Sequence, residues 1–460
     1  MDYIITIIAT VCQELILFSA IGFLIGGVDE LAIDVIWMAR QSWRRLFVYP
    51  KFARVTSKTL TPPRRPGHLA VFIPAWDESA VIADMLMAAT ARYGGAEYTI
   101  FVGCYPNDQA TMAAVKSVGH PAIKLVICDN DGPTTKADCL NTLWRELKIQ
   151  QVIANVSYKA VILHDAEDLV SPDELIVFDR LIETNALVQL PVIPIVDPES
   201  RWISGHYCDE FAEAHCKTLV VREFLGAGVP AAGVGCAISC DALTRLATER
   251  GGYPFDVDSL TEDYELGLRL HALSEKTIFV RIPQHGEADV AATKAHFPAT
   301  LETAVRQKTR WITGIALAGW DRLGWGQGIF EFWMRLRDRR AVMAAVILTS
   351  AYLAALLIVL LWCIGLLVGT QPDVIGSAAE IIIGVNIGLL FWRMAMRAHF
   401  VTQIYGWREG LISVPRTVVG NVIAIMAARR AVAQYWGIAK GQRPIWDKTA
   451  HKFPSVNNLR

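Results

Sequence analysis

The chain has 460 residues, 53% of them hydrophobic, and its mean hydropathy of +0.32 lies above the usual range of soluble proteins. The net charge of −1 gives no sign of a polyanionic partner, so nucleic-acid binding is not expected. The nine cysteines show no paired zinc spacing. Cys236 with Cys240, or Cys208 with His215 and Cys216, could form a metal site, but scattered reduced thiols are the preferred interpretation.

Three segments are apolar and long enough to cross a bilayer as helices, which requires about 20 residues. They are residues 3–28, Ala341–Val368 and residues 374–392. Asp2 stands where a cleavable signal peptide would carry basic residues, so we expect the first segment to remain as an anchor. Residues 411–436 have a helical pattern interrupted by arginines, which predicts an interfacial amphipathic helix rather than a fourth span.

Basic residues beside these segments indicate the orientation of the chain in the membrane. They follow the first span, precede the second and follow the third, whereas the loop at residues 369–377 has no Lys or Arg. This pattern predicts a multi-pass inner-membrane protein with its middle region and C-terminus in the cytoplasm. Anionic lipid accounts for the basic clusters, so membrane lipid is an expected partner.

Between the first two spans, short β-rich runs alternate with helical stretches. The strands are predicted at residues 69–73, 98–103, 123–128 and 159–163, and the helices at residues 79–93, 107–118 and 136–147. Such alternation predicts an α/β domain with a mostly parallel, doubly wound sheet, and the apolar fourth strand is expected near its centre. Ligands of these sheets bind at the carboxyl ends of the strands.

The cluster Asp165-Ala166-Glu167-Asp168 directly follows the fourth predicted strand. The alternate spacing of Asp165 and Glu167 directs both carboxylates into one crevice, and two hard oxygen ligands suit Mg or Mn that takes the rest of its shell from a diphosphate and water. The alternative is a strand-end turn whose acids cap the helix expected from Ser171, a role that we assign to Asp168.

Asp263 lies in Thr261-Glu262-Asp263, at the start of a helix predicted over residues 261–273. Thr261 suits the N-cap, and acids in a first helical turn are stabilised by the helix dipole, which is a sufficient structural role. A carboxylate held there could also act as a general base for a sugar hydroxyl.

Gln307, Arg310 and Trp311 share one helical face through their i, i+3, i+4 spacing. Arginine can bind phosphate in a fork and an indole can stack on a sugar, although a basic, aromatic membrane-interface helix would have the same composition.

Weaker candidates follow the first strands. Asp77 and Asp108 could contact a base or ribose, and Lys136 could contact phosphate, although solvated charges at helix starts are the simpler explanation. The glycine-rich residues 226–235 form either a phosphate loop or a flexible wall of an acceptor channel.

The ordered motifs resemble processive-type membrane members of glycosyltransferase family 2, and within them the phage adsorption protein B group of inner-membrane enzymes. The resemblance rests on Phe72-Ile73-Pro74-Ala75-Trp76-Asp77-Glu78, Tyr105-Pro106-Asn107-Asp108, Leu163-His164-Asp165-Ala166-Glu167-Asp168, residues 305–311, Tyr405-Gly406-Trp407-Arg408-Glu409-Gly410 and Trp446-Asp447-Lys448-Thr449. Longer members carry a C-terminal domain resembling cyclic-di-GMP-binding modules, which this sequence does not include, so regulation through it is not expected.

The resemblance implies a GT-A-type fold and inverting, metal-dependent transfer from a nucleotide-sugar. By motif, Asp165 and Glu167 would bind the metal and the diphosphate, and Asp263 would be the base. Gln307, Arg310 and Trp311 would hold the donor diphosphate and the acceptor end, and Asp77 and Asp108 would contact uridine. Tyr105-Pro106-Asn107-Asp108 replaces the usual Asp-Asp-Gly-Ser, which separates this sequence from the family at the base-binding strand.

We therefore expect an inner-membrane glycosyltransferase that transfers sugar from a UDP-sugar to a growing polysaccharide or lipid-linked acceptor. The expected divisions are an anchor at 1–65, a cytoplasmic GT-A domain at 66–335, a transmembrane hairpin at 336–395, and an interfacial helix and tail at 396–460. Because three spans are few for a secretion channel, export would need a partner or a homo-oligomer. The alternatives are a catalytically silent membrane scaffold and a metal-dependent sugar nucleotidyltransferase.

Overall fold

The computed structural model describes residues 2–284, 289–368, 375–441 and 452–454. The motif Trp446-Asp447-Lys448-Thr449, and most of the predicted hairpin loop, lie outside these residues.

A seven-stranded mixed sheet forms the centre of the α/β domain between the first two predicted spans, with strand order β3-β2-β1-β4-β7-β5-β8. Strands β1 to β4 are all parallel, and β7 runs antiparallel to both of its neighbours, β4 and β5. A small second sheet pairs β6 with β9. The strands are β1 His68–Pro74, β2 Tyr98–Cys104, β3 Ile123–Ile127, β4 Tyr158–Leu163, β5 Leu187–Gln189, β6 Val192–Pro194, β7 Cys236–Ser239, β8 Thr277–Phe279 and β9 Thr293–Ala295. The predicted strands are confirmed, with β4 at the centre.

Helices cover both faces of this sheet because alternate residues of its central strands are apolar on both sides. In β1, Leu69, Val71 and Ile73 join one core cluster, and Ala70 and Phe72 join the other. The helices of the domain are α2 Ile82–Arg92, α3 Gln109–Val118, α4 Lys136–Ile153, α5 Glu174–Leu181, α6 Ile203–Glu213, α7 Leu219–Phe224, α8 Cys240–Glu249, α9 Glu262–Ala272, α10 Leu301–Trp311, α11 Gly319–Leu323 and α12 Ile329–Arg339. Helix α1, Asp2–Trp43, precedes them. A π-helical segment, Ala214–Thr218, joins α6 to α7, and another, Ile312–Ala318, follows α10.

Four helices in the described residues are long and apolar enough to cross a membrane, counted by length and composition. They are α1 with its π-helical extension, α13 Ala341–Val368, α14 Ser377–Tyr405 and α15 Trp407–Ala439. The N-terminal part of α1, the C-terminal half of α13 and the start of α14 share an apolar cluster that contains Cys12, Ile16, Ala354 and Leu361. Composition therefore allows one more span than the three that we predicted.

Both ends of α15 contact the α/β domain. Near its start Glu409 accepts a hydrogen bond from Arg201, and near its end Tyr435 donates one to Asp321. A helix that crossed the bilayer would carry its two ends to opposite sides of the membrane. These contacts support an interfacial position for α15, as the arginines in its sequence suggested.

Candidate active site

A cavity of about 320 Å³ opens where the carboxyl end of β4 meets the starts of α4, α9 and α10. Its lining includes Lys136, Asp165, Glu167, Asp263, Gln307, Arg310 and Trp311. The tertiary structure thus brings together every predicted site residue except Asp77 and Asp108, from segments far apart in the sequence. The volume falls within the range of pockets that enclose small molecules.

The turn after β4 fixes the direction of Asp165. The Asp165 N–H donates to Asp168 Oδ2 at 2.9 Å, and Asp168 in turn contacts His164 Nδ1 at 3.0 Å. Burial alone would lower the pKa of His164, but the carboxylates of Glu174 and Asp168 raise it to about 10. The prediction that Asp168 caps the following helix is wrong, because its carboxylate is used within this buried turn and α5 begins only at Glu174.

Lys136 connects two predicted motifs. It is the first residue of α4, after the N-cap Thr135, and its ammonium donates to Asp165 Oδ1 at 2.5 Å. Burial would lower the pKa of Lys136, but the carboxylates of Asp165, Glu262 and Asp263 raise it, so the side chain is a cation. The ammonium thus places fixed positive charge between the β4 turn and the start of α9.

Asp263 lies in the first turn of α9, where Oδ1 accepts the Tyr264 N–H at 2.8 Å. Burial raises the pKa of Asp263, and the Lys136 ammonium opposes that rise. Burial and the adjacent Asp263 carboxylate raise the pKa of Glu262 to about 7. Thr261 occupies the N-cap position as predicted, but its side chain makes no capping hydrogen bond. Its buried Oγ1 has no partner among the described residues and lines the cavity.

The third predicted motif lies on α10, which begins with Thr300 as its N-cap. Gln307 Oε1 and Arg310 Nε are buried and have no hydrogen-bond partner within the described part of the chain. Both side chains line the cavity, so they present unused polar atoms to a ligand there. Trp311 packs edge-on against Tyr207, with the ring centroids 6.0 Å apart.

The end of the cavity beside Trp311 is aromatic and was not predicted. Phe211 and Phe297 pack on each other with ring centroids 4.9 Å apart, and both line the cavity. His296, whose buried Nδ1 has no partner among the described residues, and Lys452 complete this end. No local pattern marks these residues, because they converge only through the packing of α6, β9 and the C-terminal segment.

The glycine-rich residues 226–235 form a wall of the cavity rather than a helix N-terminus, and Ala232 and Val234 line it. A Cβ atom on Gly233 would lie 2.2 Å from Asp263 Oδ2, and the φ angle of Gly233 is +77°. Only glycine meets both conditions without strain. Of the two interpretations of this segment, the structure favours the wall.

Asp77 and Asp108 lie together at the ends of the adjacent strands β1 and β2, outside the lining of the cavity. The Asp77 N–H donates to Asp108 Oδ2 at 2.6 Å, and Asp108 also caps α3 through the Thr111 N–H. Asn107 makes two 2.8 Å hydrogen bonds to the backbone of Gly132. Asp108 and Asn107 therefore have structural partners, and contact with a base stays a prediction.

Asp165 and Glu167 are the residues that could hold a metal ion. Among the described residues, no group of three or more His, Cys, Asp and Glu side chains has the arrangement of a metal site. The cysteines of the described residues are free thiols, and all but Cys363 are buried. Two carboxylates that open on one cavity fit Mg or Mn, which are commonly bound by one or two carboxylates together with substrate phosphates.

The GT-A-type sheet, with these acids at the end of its central strand, defines the class of protein. The chain belongs to the glycosyltransferase like family 2, whose model matches residues 66–314. It is 37% identical, over 99% of its length, to bacteriophage adsorption protein B of Escherichia coli (strain K12). The bacteriophage N4 adsorption protein B of Escherichia coli O157:H7 matches equally. The chain spans 64% of the length of these curated relatives.

A solved structure shares the fold over most of the chain. It is the mannosyltransferase from Pyrobaculum calidifontis in complex with GDP-Man and Mn²⁺. The TM-score is 0.53 at 15% sequence identity, and the match covers 92% of this chain and 99% of that one. The resemblance found in the motifs is therefore confirmed at the level of family and fold.

Proposed function

We propose that this chain is an inverting, metal-dependent glycosyltransferase that transfers sugar from a UDP-sugar to a growing polysaccharide or lipid-linked acceptor. The observation that carries the proposal is the convergence of Asp165, Asp263 and Arg310 on one cavity, with the Lys136 ammonium beside the two acids. Burying several charged groups in one cavity costs free energy of folding, and such clusters are typical of binding and catalytic sites. A catalytically silent scaffold would have no use for this arrangement.

In this proposal Asp263 accepts the proton of the acceptor hydroxyl as that oxygen attacks the anomeric carbon in one step. Its pKa, raised by burial, brings the carboxylate closer to the basicity that proton transfer requires. Gln307 and Arg310 bind the donor diphosphate with the polar atoms that have no protein partner. Trp311 and the neighbouring phenylalanines orient the acceptor sugar and exclude water.

Asp165 and Glu167 would hold Mg or Mn. When bound, the metal supplies positive charge against the negative charge that develops on the departing diphosphate. Lys136 keeps Asp165 in place through their ion pair and adds its own charge on the same side of the cavity. Asp77 and Asp108 are proposed, by motif, to contact the uridine.

The reaction is proposed to take place at the cytoplasmic face of the inner membrane. Basic residues beside α1, α13 and α14 support that orientation. Export of the product by a partner or a homo-oligomer belongs to the same proposal.

The test is UDP release from a panel of UDP-sugars with Mg or Mn, using wild type and Asp263→Asn. We expect the variant to lose about 10²-fold to 10⁴-fold in turnover while it still binds UDP. Asp241→Asn is the matched control, because Asp241 lies in the first turn of α8 but is exposed and outside the cavity. Equal turnover of wild type and Asp263→Asn would remove Asp263 from the mechanism.

The names of the curated relatives, which refer to phage adsorption, motivate the alternative of a catalytically silent scaffold. If wild type releases no UDP above background from any donor, with either metal, this alternative replaces the enzyme. Analysis of the products formed from mixed UDP-sugars then identifies the sugar and the linkage in an active preparation.

A further inference from the structure

A buried side-chain amide, that of Gln189, lies behind the glycine-rich wall of the cavity. Gln189 is the last residue of β5, and its side chain is fully buried although it does not line the cavity. It is the polar member of the apolar run Leu187-Val188-Gln189-Leu190. Burial of an amide costs free energy unless its polar groups have hydrogen-bond partners. The contacts of Gln189 therefore indicate why a glutamine stands in this part of the core.

Both ends of the Gln189 amide bind backbone groups, and most of these belong to the glycine-rich wall. Oε1 accepts the Ala232 N–H at 2.8 Å. Nε2 donates to three carbonyl oxygens, those of Leu190 at 2.8 Å, Val234 at 3.0 Å and Gly235 at 3.2 Å. Since the amide nitrogen has two hydrogens, one of them is shared between two carbonyls. Three of the four contacts thus hold a stretch of backbone that belongs to no helix or strand.

The stretch held by Gln189 contains Gly233, the neighbour of the proposed base. Ala232 and Val234 flank Gly233, and both line the cavity. A Cβ atom on Gly233 would lie 2.2 Å from Asp263 Oδ2, and the Gly233 carbonyl accepts a 3.5 Å hydrogen bond from the Lys136 ammonium. A displacement of this stretch would therefore move a direct neighbour of both the Asp263 carboxylate and the cation beside it.

The main sheet gives Gln189 a fixed position from which to hold the wall. Its backbone pairs with Cys236 of β7 on one side and Phe279 of β8 on the other. The far end of the wall is tied to β4, because the Gly235 N–H donates to the Leu163 carbonyl at 3.0 Å. Reacting groups stay in productive geometry when the residues around them are themselves fixed by hydrogen bonds to rigid elements.

We propose that Gln189 is a positioning residue for the transfer reaction, and that its amide sets the distance between the wall at Gly233 and the Asp263 carboxylate. The inference rests on the proposed function, because it takes Asp263 as the base. A glutamine that served the fold alone would affect stability when it is replaced. A positioning role adds a loss of turnover, since a displacement of about 1 Å at a reacting group can lower the rate about 10²-fold.

The experiment compares wild type with Gln189→Met, which removes the amide at nearly constant length. Both full-length proteins are assayed in nanodiscs for UDP release from the donor that wild type uses, below the unfolding temperature of either protein. We expect kcat to fall about tenfold to hundredfold and KM for the UDP-sugar to change by less than about threefold. Hydrogen exchange should become faster at the Ala232 amide, which loses its acceptor.

Asn141→Leu is the matched control, because Asn141 is also a buried amide that holds irregular backbone. Its Nδ2 donates to the Phe255 carbonyl at 2.8 Å, and its Oδ1 accepts the Phe255 N–H at 3.1 Å. Neither residue lines the cavity. We expect the control to lower the unfolding temperature as Gln189→Met does and to keep kcat within about threefold of wild type.

The outcomes separate a failure of this inference from a failure of the proposed function. With an active wild type, equal losses of kcat in the two variants, or a rise in KM at unchanged kcat for Gln189→Met, would overturn the positioning role. A wild type that releases no UDP from any donor would end the proposed function, and the inference with it.

If Gln189→Met does not fold, Gln189→Asn decides. It keeps the amide but shortens the side chain by one methylene, so the amide cannot reach Ala232, Val234 and Gly235 together. The same loss of kcat at unchanged KM is expected, and wild-type kcat in Gln189→Asn would overturn the proposal.

Discussion

At the scale of single residues, the close approach of Gly233 to Asp263 limits the position of the proposed base, because a Cβ atom on Gly233 would lie 2.2 Å from Asp263 Oδ2. The segment that contains Gly233 forms one wall of the cavity. The Gly233 carbonyl also accepts a 3.5 Å hydrogen bond from the Lys136 ammonium. The absence of a side chain at this position therefore determines where the Asp263 carboxylate can lie. A methyl group at Gly233 would have to displace that carboxylate or the backbone.

Gly233→Ala should lower both stability and turnover. Backbone strain at positive φ costs about 1–2 kcal/mol, and the overlap with Asp263 adds about 1–3 kcal/mol. Gly251→Ala is the control, because Gly251 has a φ of +70° with nothing within 4 Å of its added Cβ. Thermal unfolding and UDP release are the measurements. Equal effects of the two substitutions would show that the overlap with Asp263 has no consequence.

His215 gives the fold a dependence on pH. Its buried Nδ1 accepts the Val192 N–H at 2.8 Å, and burial, helped by the nearby Arg281, lowers the pKa of the imidazole to about 3. The unfolded chain, with an ordinary histidine pKa near 6.5, binds the proton between these two values, and the folded chain does not. Stability is therefore unaffected above the ordinary pKa and falls as the pH drops below it.

We expect His215→Asn to remove this part of the acid sensitivity, because asparagine keeps an acceptor for the Val192 N–H and cannot be protonated. Below the ordinary pKa, wild type should lose up to about 1.4 kcal/mol more per pH unit than the variant. Unfolding curves of both proteins between pH 7.5 and 5.5 measure the difference. Parallel curves would mean that His215 is protonated in the folded state as readily as in the unfolded one.

At the scale of elements, one face of α6 and its π-helical extension attaches the α/β domain to three other helices. Asp209, Glu213 and Lys217 are four residues apart and so lie along one face. Asp209 pairs with Arg416 of α15, Glu213 with Arg397 of α14, and Lys217 with Asp34 of α1. Pairs buried in this way cost much free energy when one partner is removed, and they define the docking geometry.

Arg416→Met should destabilise the protein by about 3–5 kcal/mol, because Asp209 would be left as a buried charge without its partner and Glu409 would keep only Arg201. Arg145→Met is the matched control. Arg145 makes the same two-pronged contact with Asp129 at 2.7 and 2.8 Å, but on the surface. We expect it to cost less than about 1 kcal/mol in thermal or chemical unfolding. Similar losses for the two variants would contradict the role of burial.

At the scale of the whole molecule, the position of α15 decides the number of spans. Its two ends contact the same α/β domain, and Phe453 beyond it packs against the core of the main sheet. We therefore expect α1, α13 and α14 to cross the bilayer and α15 to lie along its cytoplasmic face. The division of the chain at residues 65, 335 and 395 stays a prediction.

Cysteine labelling in spheroplasts, in a Cys363→Ala background, tests this topology. A membrane-impermeant maleimide should label Gln371→Cys in the predicted outer loop, and should label Lys116→Cys on α3 only after permeabilisation. Lys440→Cys, at the end of α15, should behave like Lys116→Cys. Labelling of Lys440→Cys from outside would show that α15 crosses the membrane and would contradict the interfacial position.

The sequence alone determined the fold class, the strands β1 to β4 and the residues of the cavity that belong to local motifs. These features follow from short-range patterns: apolar runs specify buried strands, and the acids after β4 lie at the end of the sheet where ligands bind. For the same reason the resemblance to family 2 could be recognised from Asp165, Glu167, Asp263 and the α10 motif.

Only the tertiary structure decided the features that depend on contacts between distant segments. In the folded chain Asp168 bonds to His164 within a buried turn and does not cap a helix. Gly233 lies so close to Asp263 that the position has no room for a side chain. The tertiary structure also brought Phe211 and Phe297 beside Trp311 and left Asp77 and Asp108 outside the cavity. Local sequence patterns do not predict these contacts. Each residue is equally compatible with its own helix, strand or loop whichever distant residue lies beside it.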